Sequence, residues 1–102
     1  MSDKFPELDP IVHGQIRLAA LTLLSGVDEA DFTYLRDNVG TTDGNLSVHL
    51  TKLEDAGYVE VEKKFVNKKP RSLYRMTNKG RTAFLAYVKT LRLLLEKVGV
   101  KK

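Results

Sequence analysis

The sequence predicts a mostly α-helical α+β domain with four helices and one small β-hairpin, in the order helix, helix, helix, hairpin, long helix. Three observations predict this class. Apolar residues recur every three or four positions in four stretches, which is the period of an amphipathic helix. The period changes to two after Gly57, as in a half-buried strand. A length of 102 residues suits one core, so we expect one domain over residues 1–102, ordered at about 8–96.

The first helix is predicted to begin at Asp9-Pro10. Aspartate is a favourable cap, and proline suits the first helical position because its missing N–H is not needed there. Apolar residues cover most of the surface of this helix. A short helix of that kind is either central or buried against a partner chain. Ser25-Gly26 is expected to end it.

Two short helices follow, separated by a tight turn that contains glycine. Acidic residues precede the second helix, predicted over Phe32–Val39, and suit the positive end of its dipole. Gly40 ends that helix, and Thr41-Thr42 offers a cap for the third, which Gly57 ends. Two helices joined in this way form a helix-turn-helix unit.

The third helix has a buried stripe and an outward row. Leu46, Leu50 and Leu53 share one face. The residues that point away are short, polar and mostly uncharged, which is typical of side chains that read base edges in a DNA major groove. An ordinary amphipathic surface helix shows the same pattern, so both interpretations stay open at this point. The candidate DNA-contacting residues are Thr42, Asn45, Ser47, Val48, His49 and Lys52.

A basic hairpin is predicted after the third helix. Residues 58–63 alternate apolar and polar side chains, Asn67 to Arg71 form a turn, and residues 72–76 return as a strand. Residues 1–57 carry a net charge of −6 and residues 58–102 carry +10, which indicates an anionic partner for the second half. A charged hairpin tip can also be only a solvated loop. The cations expected on phosphates are Lys63, Lys64, Lys68, Lys69, Arg71 and Arg75, with Lys79 and Arg81 beyond them.

The last helix is predicted over residues 77–98, with Thr77 or Asn78 as its cap. At 1.5 Å per residue it is roughly 30 Å long, so its far end outreaches the core of a small domain. Its Leu93-Leu94-Leu95 run would be exposed in a monomer, which favours a homodimer; packing on the first helix is the alternative. The predicted interface residues are Ile11, Leu18, Leu85, Leu91, Leu94, Leu95 and Val98.

Several classes of protein are not expected. The chain has no cysteine, which excludes disulfides and thiol catalysis and fits the cytoplasm. Its two histidines, His13 and His49, lack a tight ligand spacing, so we expect no metal, and we interpret His13 as a hydrogen-bonded helix residue near the dimer contact. The start of the chain lacks an apolar leader, and no long apolar run predicts a membrane span. Neither a glycine-rich phosphate loop nor a catalytic set indicates an enzyme or a cofactor.

A series of short motifs extends over about residues 8–96. They are Leu8-Asp9-Pro10, Arg17-Leu18, Asp31 to Leu35, Thr42 to Ser47, His49-Leu50, Leu53 to Val59, Pro70-Arg71, Tyr74 to Thr77 and Lys79 to Arg81. In these motifs the chain resembles the small MarR/ArsR-like winged-helix transcriptional regulators of bacteria and archaea. Two departures stand out: the tip of the hairpin lacks the usual glycine, and Val48 replaces a residue that is often polar or basic.

The resemblance implies a homodimer on a two-fold related DNA site. The third helix would enter the major groove, the hairpin would act as a wing on the backbone or minor groove, and the first and last helices would form the interface. We therefore predict a sequence-specific regulator of transcription that binds double-stranded DNA, as a homodimeric repressor. The alternative is a winged-helix module for protein–protein interaction. RNA is a third candidate, although no stacking aromatic residues line the predicted groove face. The sequence names no effector: the first and last helices of a dimer could enclose an apolar pocket, but we favour core packing as the explanation of their apolar faces.

Overall fold

The computed structural model describes residues 6–99. Residues 1–5, which include part of the stretch examined for a leader, and residues 100–102 lie outside the described part. Within residues 6–99 the elements are α1 (Gln15–Ser25), β1 (Ala30–Asp31), α2 (Phe32–Val39), α3 (Asp43–Asp55), β2 (Val59–Val66), β3 (Lys69–Met76) and α4 (Asn78–Lys97). The predicted fold class and the order of its helices and hairpin are confirmed. β1 was not predicted, because two residues show no periodicity.

The first helix begins later than predicted. Asp9 Oδ1 accepts hydrogen bonds from the amides of Ile11 at 2.8 Å and Val12 at 3.3 Å, which closes a separate turn. Gly14 follows in an extended conformation, and the helix starts at Gln15. The predicted start at Asp9-Pro10 is therefore wrong, because a capped turn need not continue into a helix. His13, interpreted as a helix residue, lies in this preceding segment.

Side-chain caps begin the next two helices; a cap by Thr41 or Thr42 was predicted for α3, whereas for α2 only a favourable charge near the helix start was predicted. Asp31 Oδ1 accepts the Tyr34 amide at 2.8 Å at the start of α2. Thr42 Oγ1 accepts the Asn45 amide at 3.2 Å at the start of α3. Between the two helices Gly40 has a left-handed backbone conformation, with φ of 79°, which suits a residue without a side chain. The helix-turn-helix is therefore held by local contacts.

The end of α3 is tied to the start of α4. The amide of Tyr58 bonds to the carbonyl of Leu53 at 2.9 Å, and Gly57 has a φ of 82°, as in a Schellman motif. The Thr77 hydroxyl donates to the Gly57 carbonyl at 2.6 Å and accepts the Gly80 amide at 2.9 Å. Thr77 is thus the cap of α4. The hairpin between these points leaves from a fixed base.

The three strands form an antiparallel sheet in the order β1-β3-β2. The register of β2 and β3 runs from Val59 opposite Met76 to Val66 opposite Lys69. The loop therefore contains only Asn67 and Lys68, whose positive φ angles of 53° and 66° are typical of a type I′ turn. The predicted five-residue turn is too long: its last three residues belong to β3. Pro70 pairs with Phe65 at a position where the backbone nitrogen of β3 points away from β2. Proline has no amide hydrogen, and none is needed at this position.

The core lies between α1, α2, α3 and the base of the sheet. The predicted apolar stripe of α3 is buried: no more than 1% of the surface of each residue is exposed at Leu46, Leu50 and Leu53. From α4, Phe84 and Tyr87 complete the core. The remaining buried apolar residues are Val12, Ala20, Leu21, Leu24, Ala30, Leu35 and Val59.

The far end of α4 extends away from this core. The protomer measures 58 × 23 × 23 Å along its principal axes. The exposed fraction rises along the helix from 4% at Tyr87 to 46% at Leu95 and 72% at Val98.

In the described part of the chain, no helix combines the length and the apolar character that a membrane crossing requires.

Candidate nucleic-acid interface

The outward face of α3 presents the predicted row. Asn45 and Lys52 are exposed, and Val48 between them is 56% exposed. Their spacing of three and four residues aligns them on one helix face. The contact with the Thr42 hydroxyl uses the backbone amide of Asn45, so the Asn45 side chain is not the cap. Ser47 is exposed beside the row. The helix can therefore bring amide, apolar and cationic groups to a ligand.

His49 is held differently from its neighbours. It is half-buried, and its Nδ1 lies 2.8 Å from Nη1 of Arg17 on α1. Burial, and then the positive charges of Arg17 and Lys52, lower the pKa of His49, so the neutral imidazole dominates at neutral pH. The contact was not predicted: His49 was expected in the outer row, and Arg17 was noted only as part of a motif. No local pattern connects two residues 32 positions apart.

An ion pair neutralises the acid at the start of α3. Arg36 Nη1 lies 2.8 Å from Asp43 Oδ1, and Arg36 Nε lies 3.1 Å from Asp37 Oδ1. These hydrogen bonds, first that to Asp43, raise the pKa of Arg36. Exposed pairs add little to stability. This pair nevertheless reduces the repulsion that a phosphate would meet near the N-terminus of α3.

Within the hairpin of β2 and β3, hereafter the wing, one face is an ion-pair network. Arg75 Nη2 lies 2.6 Å from Glu62 and 2.9 Å from Glu29, and the Arg75 hydrogen bond, followed by the charge of Lys64, lowers the pKa of Glu62. Three of the six predicted phosphate contacts therefore have carboxylate neighbours. The pairs on this face are Arg75 with Glu29, Glu60 and Glu62, Arg71 with Asp31, and Lys64 with Glu62.

The other predicted wing cations are differently placed. Among residues 6–99, Lys63, Lys68 and Lys69 form no ion pair, and all three are exposed. Phe65 shares a strand face with Lys63 and is 76% exposed. Phe65 was not among the predicted site residues, although an aromatic residue among lysines could have indicated it. The tip of the wing thus combines unpaired cations with one large apolar ring.

The predicted dimer residues fall into two groups. Ile11, Leu18 and Leu91 are half-buried and pack against the core of their own chain. Leu85, Leu95 and Val98 are exposed by 56%, 46% and 72%. Leu94 is half-buried. Leu95 and Val98 lie at the far end of α4, beyond the core, whereas Leu85 is exposed on the part of the helix that also carries the core residues Phe84 and Tyr87.

The histidines are bonded within the protein. His13 Nδ1 lies 2.8 Å from the hydroxyl of Tyr87, as expected for a hydrogen-bonded residue, although it precedes the helix. Nowhere in residues 6–99 do three or more histidine, aspartate or glutamate side chains gather as a metal site would require.

Comparison with known proteins agrees with this architecture. Residues 16–95 match a family described as a winged helix DNA-binding domain. An uncharacterized protein of Methanocaldococcus jannaschii is 40% identical over 78 residues, which span 76% of this chain and 85% of that protein. The resemblance to the winged-helix family is thus confirmed, and that family is one of DNA-binding domains.

Two solved structures share the fold. A transcriptional regulator homologue from Pyrococcus horikoshii OT3 matches with a TM-score of 0.82 and 23% identity, over 88% of this chain and 89% of that chain. The transcriptional repressor CouR, bound to a 23-mer DNA duplex, matches with a TM-score of 0.69 and 20% identity, over 88% of this chain and 66% of that chain. By its sequence match over residues 16–95, the chain belongs to the winged helix DNA-binding domain family.

Proposed function

We propose that this protein is a sequence-specific regulator of transcription that binds double-stranded DNA as a homodimer. One observation carries the proposal: the exposed row of α3 stands on a domain whose wing tip has lysines without a carboxylate partner among residues 6–99. A polar helix row suits base edges, and unpaired cations suit phosphates. The two features together match the two requirements of sequence-specific binding.

Affinity and specificity reside in different elements of the proposed complex. Lys63, Lys68 and Lys69 neutralise phosphates, and this contribution depends strongly on salt. Arg71, Arg75 and Lys64 remain secondary candidates, because DNA would have to compete with their ion pairs. The base edges are read by Asn45, Val48, His49 and Lys52, while Thr42 and Ser47 position the helix start. Val48 suits the methyl group of thymine.

The homodimer is supported by the exposed apolar side chains of α4. Leu85, Leu95 and Val98 lie on a helix that extends beyond the core of its own chain. A second copy of α4 would cover them and would give two recognition helices related by a two-fold axis. Such a dimer reads an inverted repeat with half-sites about 34 Å apart. We expect the protein to act in the cytoplasm. A dimer that covers both half-sites in a promoter would block the access of RNA polymerase, so we propose a repressor.

The test is a selection of duplexes from a random pool, with the bound complex sized by light scattering. Enrichment of an inverted repeat, bound by two chains, is the expected result. A wild-type protein that enriches no motif at any salt concentration would contradict the proposal. A variant that combines Asn45→Ala and Val48→Ala provides the matched comparison: it should keep its affinity for random duplex and lose its preferred sequence.

A second candidate is an interaction module for another protein. The observation in its favour is apolar exposure on the two elements proposed to bind DNA: Phe65 on the wing is 76% and Val48 on α3 is 56% exposed. Random duplex DNA separates the two candidates. A salt-sensitive electrophoretic shift favours the regulator, whereas no shift even at low salt favours the interaction module.

A further inference from the structure

The contact between Arg17 and His49 lies where α1 meets the recognition helix. Three hydrogen bonds fix the guanidinium of Arg17: its Nε donates to the Ile11 carbonyl at 2.6 Å, its Nη2 to the Pro10 carbonyl at 3.3 Å, and its Nη1 to His49 Nδ1 at 2.8 Å. Gly14 leaves the space that this arrangement needs, since a β-carbon there would lie 2.6 Å from Arg17 Nη2. Two backbone carbonyls therefore fix the position of the guanidinium that contacts His49.

This geometry determines which nitrogen of His49 carries the proton. A guanidinium has only donors, so the Nδ1 atom at 2.8 Å must accept. The neutral imidazole then carries its hydrogen on Nε2, on the side of the ring away from Arg17. A second proton on Nδ1 would direct one N–H at another and place a cation beside Arg17 and Lys52. Burial and these two charges lower the pKa of His49 in agreement.

A fixed donor distinguishes among bases. In the major groove, guanine (N7 and O6), adenine (N7) and thymine (O4) present acceptors, whereas cytosine presents only the N4 amino donor. A histidine that can exchange tautomers also accepts from amino groups and tolerates more bases. Resting on the proposed function, we propose that Arg17 is a positioning residue that holds His49 as an Nε2–H donor to a base-edge acceptor, which excludes cytosine at one position of each half-site.

Two variants remove the contact in different ways. Arg17→Met deletes the donor and keeps an apolar stem. Gly14→Ala keeps the charge but pushes the guanidinium out of place, and its φ of −167° is an extended conformation that alanine adopts easily. The matched controls are Arg92→Met on exposed α4 and Gly26→Ala, where the nearest atom to a new β-carbon is 3.9 Å away.

The first measurement uses nitrogen-15 NMR of the imidazole in the free protein. We expect the Nε2–H tautomer of His49 in the wild type and in both controls, and a mixture of tautomers in both test variants. An Nδ1–H tautomer in the wild type would overturn the inference, whatever DNA the protein binds. This readout does not depend on the proposed function.

The second measurement repeats the duplex selection with each variant. Arg17→Met and Gly14→Ala should lower the discrimination against cytosine at one position by about fivefold, the lower end for a base-edge contact, and leave the other positions unchanged. A merely structural role would weaken all sequences alike. A wild-type motif that both variants retain would overturn this inference alone. If the wild type enriches no motif, the proposed function fails and the inference fails with it.

Discussion

Gly80, in the first turn of α4, packs directly against the carbonyl group of Tyr58. A β-carbon at this position would overlap the Tyr58 oxygen, and both groups belong to backbone that the Thr77 cap already holds. A side chain therefore cannot be accommodated by a rotamer change. The junction between the recognition helix, the wing and α4 depends on glycine here.

We expect Gly80→Ala to lower the free energy of unfolding by about 1–3 kcal/mol, the usual cost of overpacking. Gly44→Ala is the matched control, because nothing lies within 4 Å of its new β-carbon. Alanine in that exposed helical position should stabilise by about 0.5–1 kcal/mol. Urea unfolding at one protomer concentration measures both. Equal effects of the two substitutions would contradict the packing argument.

The wing lysines should determine the salt dependence of DNA binding. Replacing Lys63, Lys68 and Lys69 by alanine should weaken binding to all duplexes and reduce the slope of log affinity against log salt by about three. The control removes the same charge from exposed α4 residues, Lys89, Arg92 and Lys97, and should change the slope much less. Fluorescence anisotropy at several salt concentrations gives the slope. A triple wing variant with the wild-type slope would rule out these phosphate contacts.

Glu62 should weaken DNA binding, because it forms ion pairs with two cations of the wing. Its carboxylate lies 2.6 Å from Arg75 and 3.8 Å from Lys64. Glu62→Gln should therefore strengthen binding to random duplex and steepen the salt slope by about one as a released cation becomes available. Glu96→Gln on exposed α4 changes the net charge equally. The same gain in both variants would indicate a general charge effect and not release from the pair.

His49 should stay neutral at a lower pH than an ordinary histidine. Burial, then Arg17 and Lys52, lower its pKa below 6.5, so the unfolded chain binds more protons as the pH falls past that value. The contribution of His49 to stability is then present above pH 6.5 and is lost as the pH falls toward the folded-state pKa. An NMR titration should give a wild-type pKa of His49 below 6.5. In Arg17→Met this pKa should rise but stay below 6.5, because burial still lowers it. A pKa unchanged by Arg17→Met would contradict the charge contribution.

The exposed apolar end of α4 should hold the dimer together. Leu95→Glu combined with Val98→Glu places charge where the protomer leaves 46% and 72% of these residues exposed, so the protomer should stay folded. Sedimentation should report monomers, with the helical circular dichroism retained. Thr33→Glu, an exposed change on α2, should remain dimeric. A double variant of wild-type size would exclude this interface.

Local sequence signals predicted the elements that local contacts build. The α3 stripe, the Thr42 cap and the glycines at 40 and 57 were predicted because each acts within a few residues of itself. The signals failed where a distant segment decides. β1 exists because Ala30 pairs with Tyr74, 44 positions away in the register. The wing loop contains two residues because β3 extends its pairing to Lys69.

The sequence by itself determined the order of the elements, the outward row of α3 and the concentration of basic residues in the wing, because periodicity and charge are written along the chain. Only the tertiary structure decided which of those cations are paired and what His49 contacts. Arg75 meets Glu29 across 46 positions, and Arg17 meets His49 across 32. Such pairs depend on how the helices and the sheet pack. The spacing of residues along the chain does not predict a hydrogen bond of 2.8 Å between residues that are 32 positions apart.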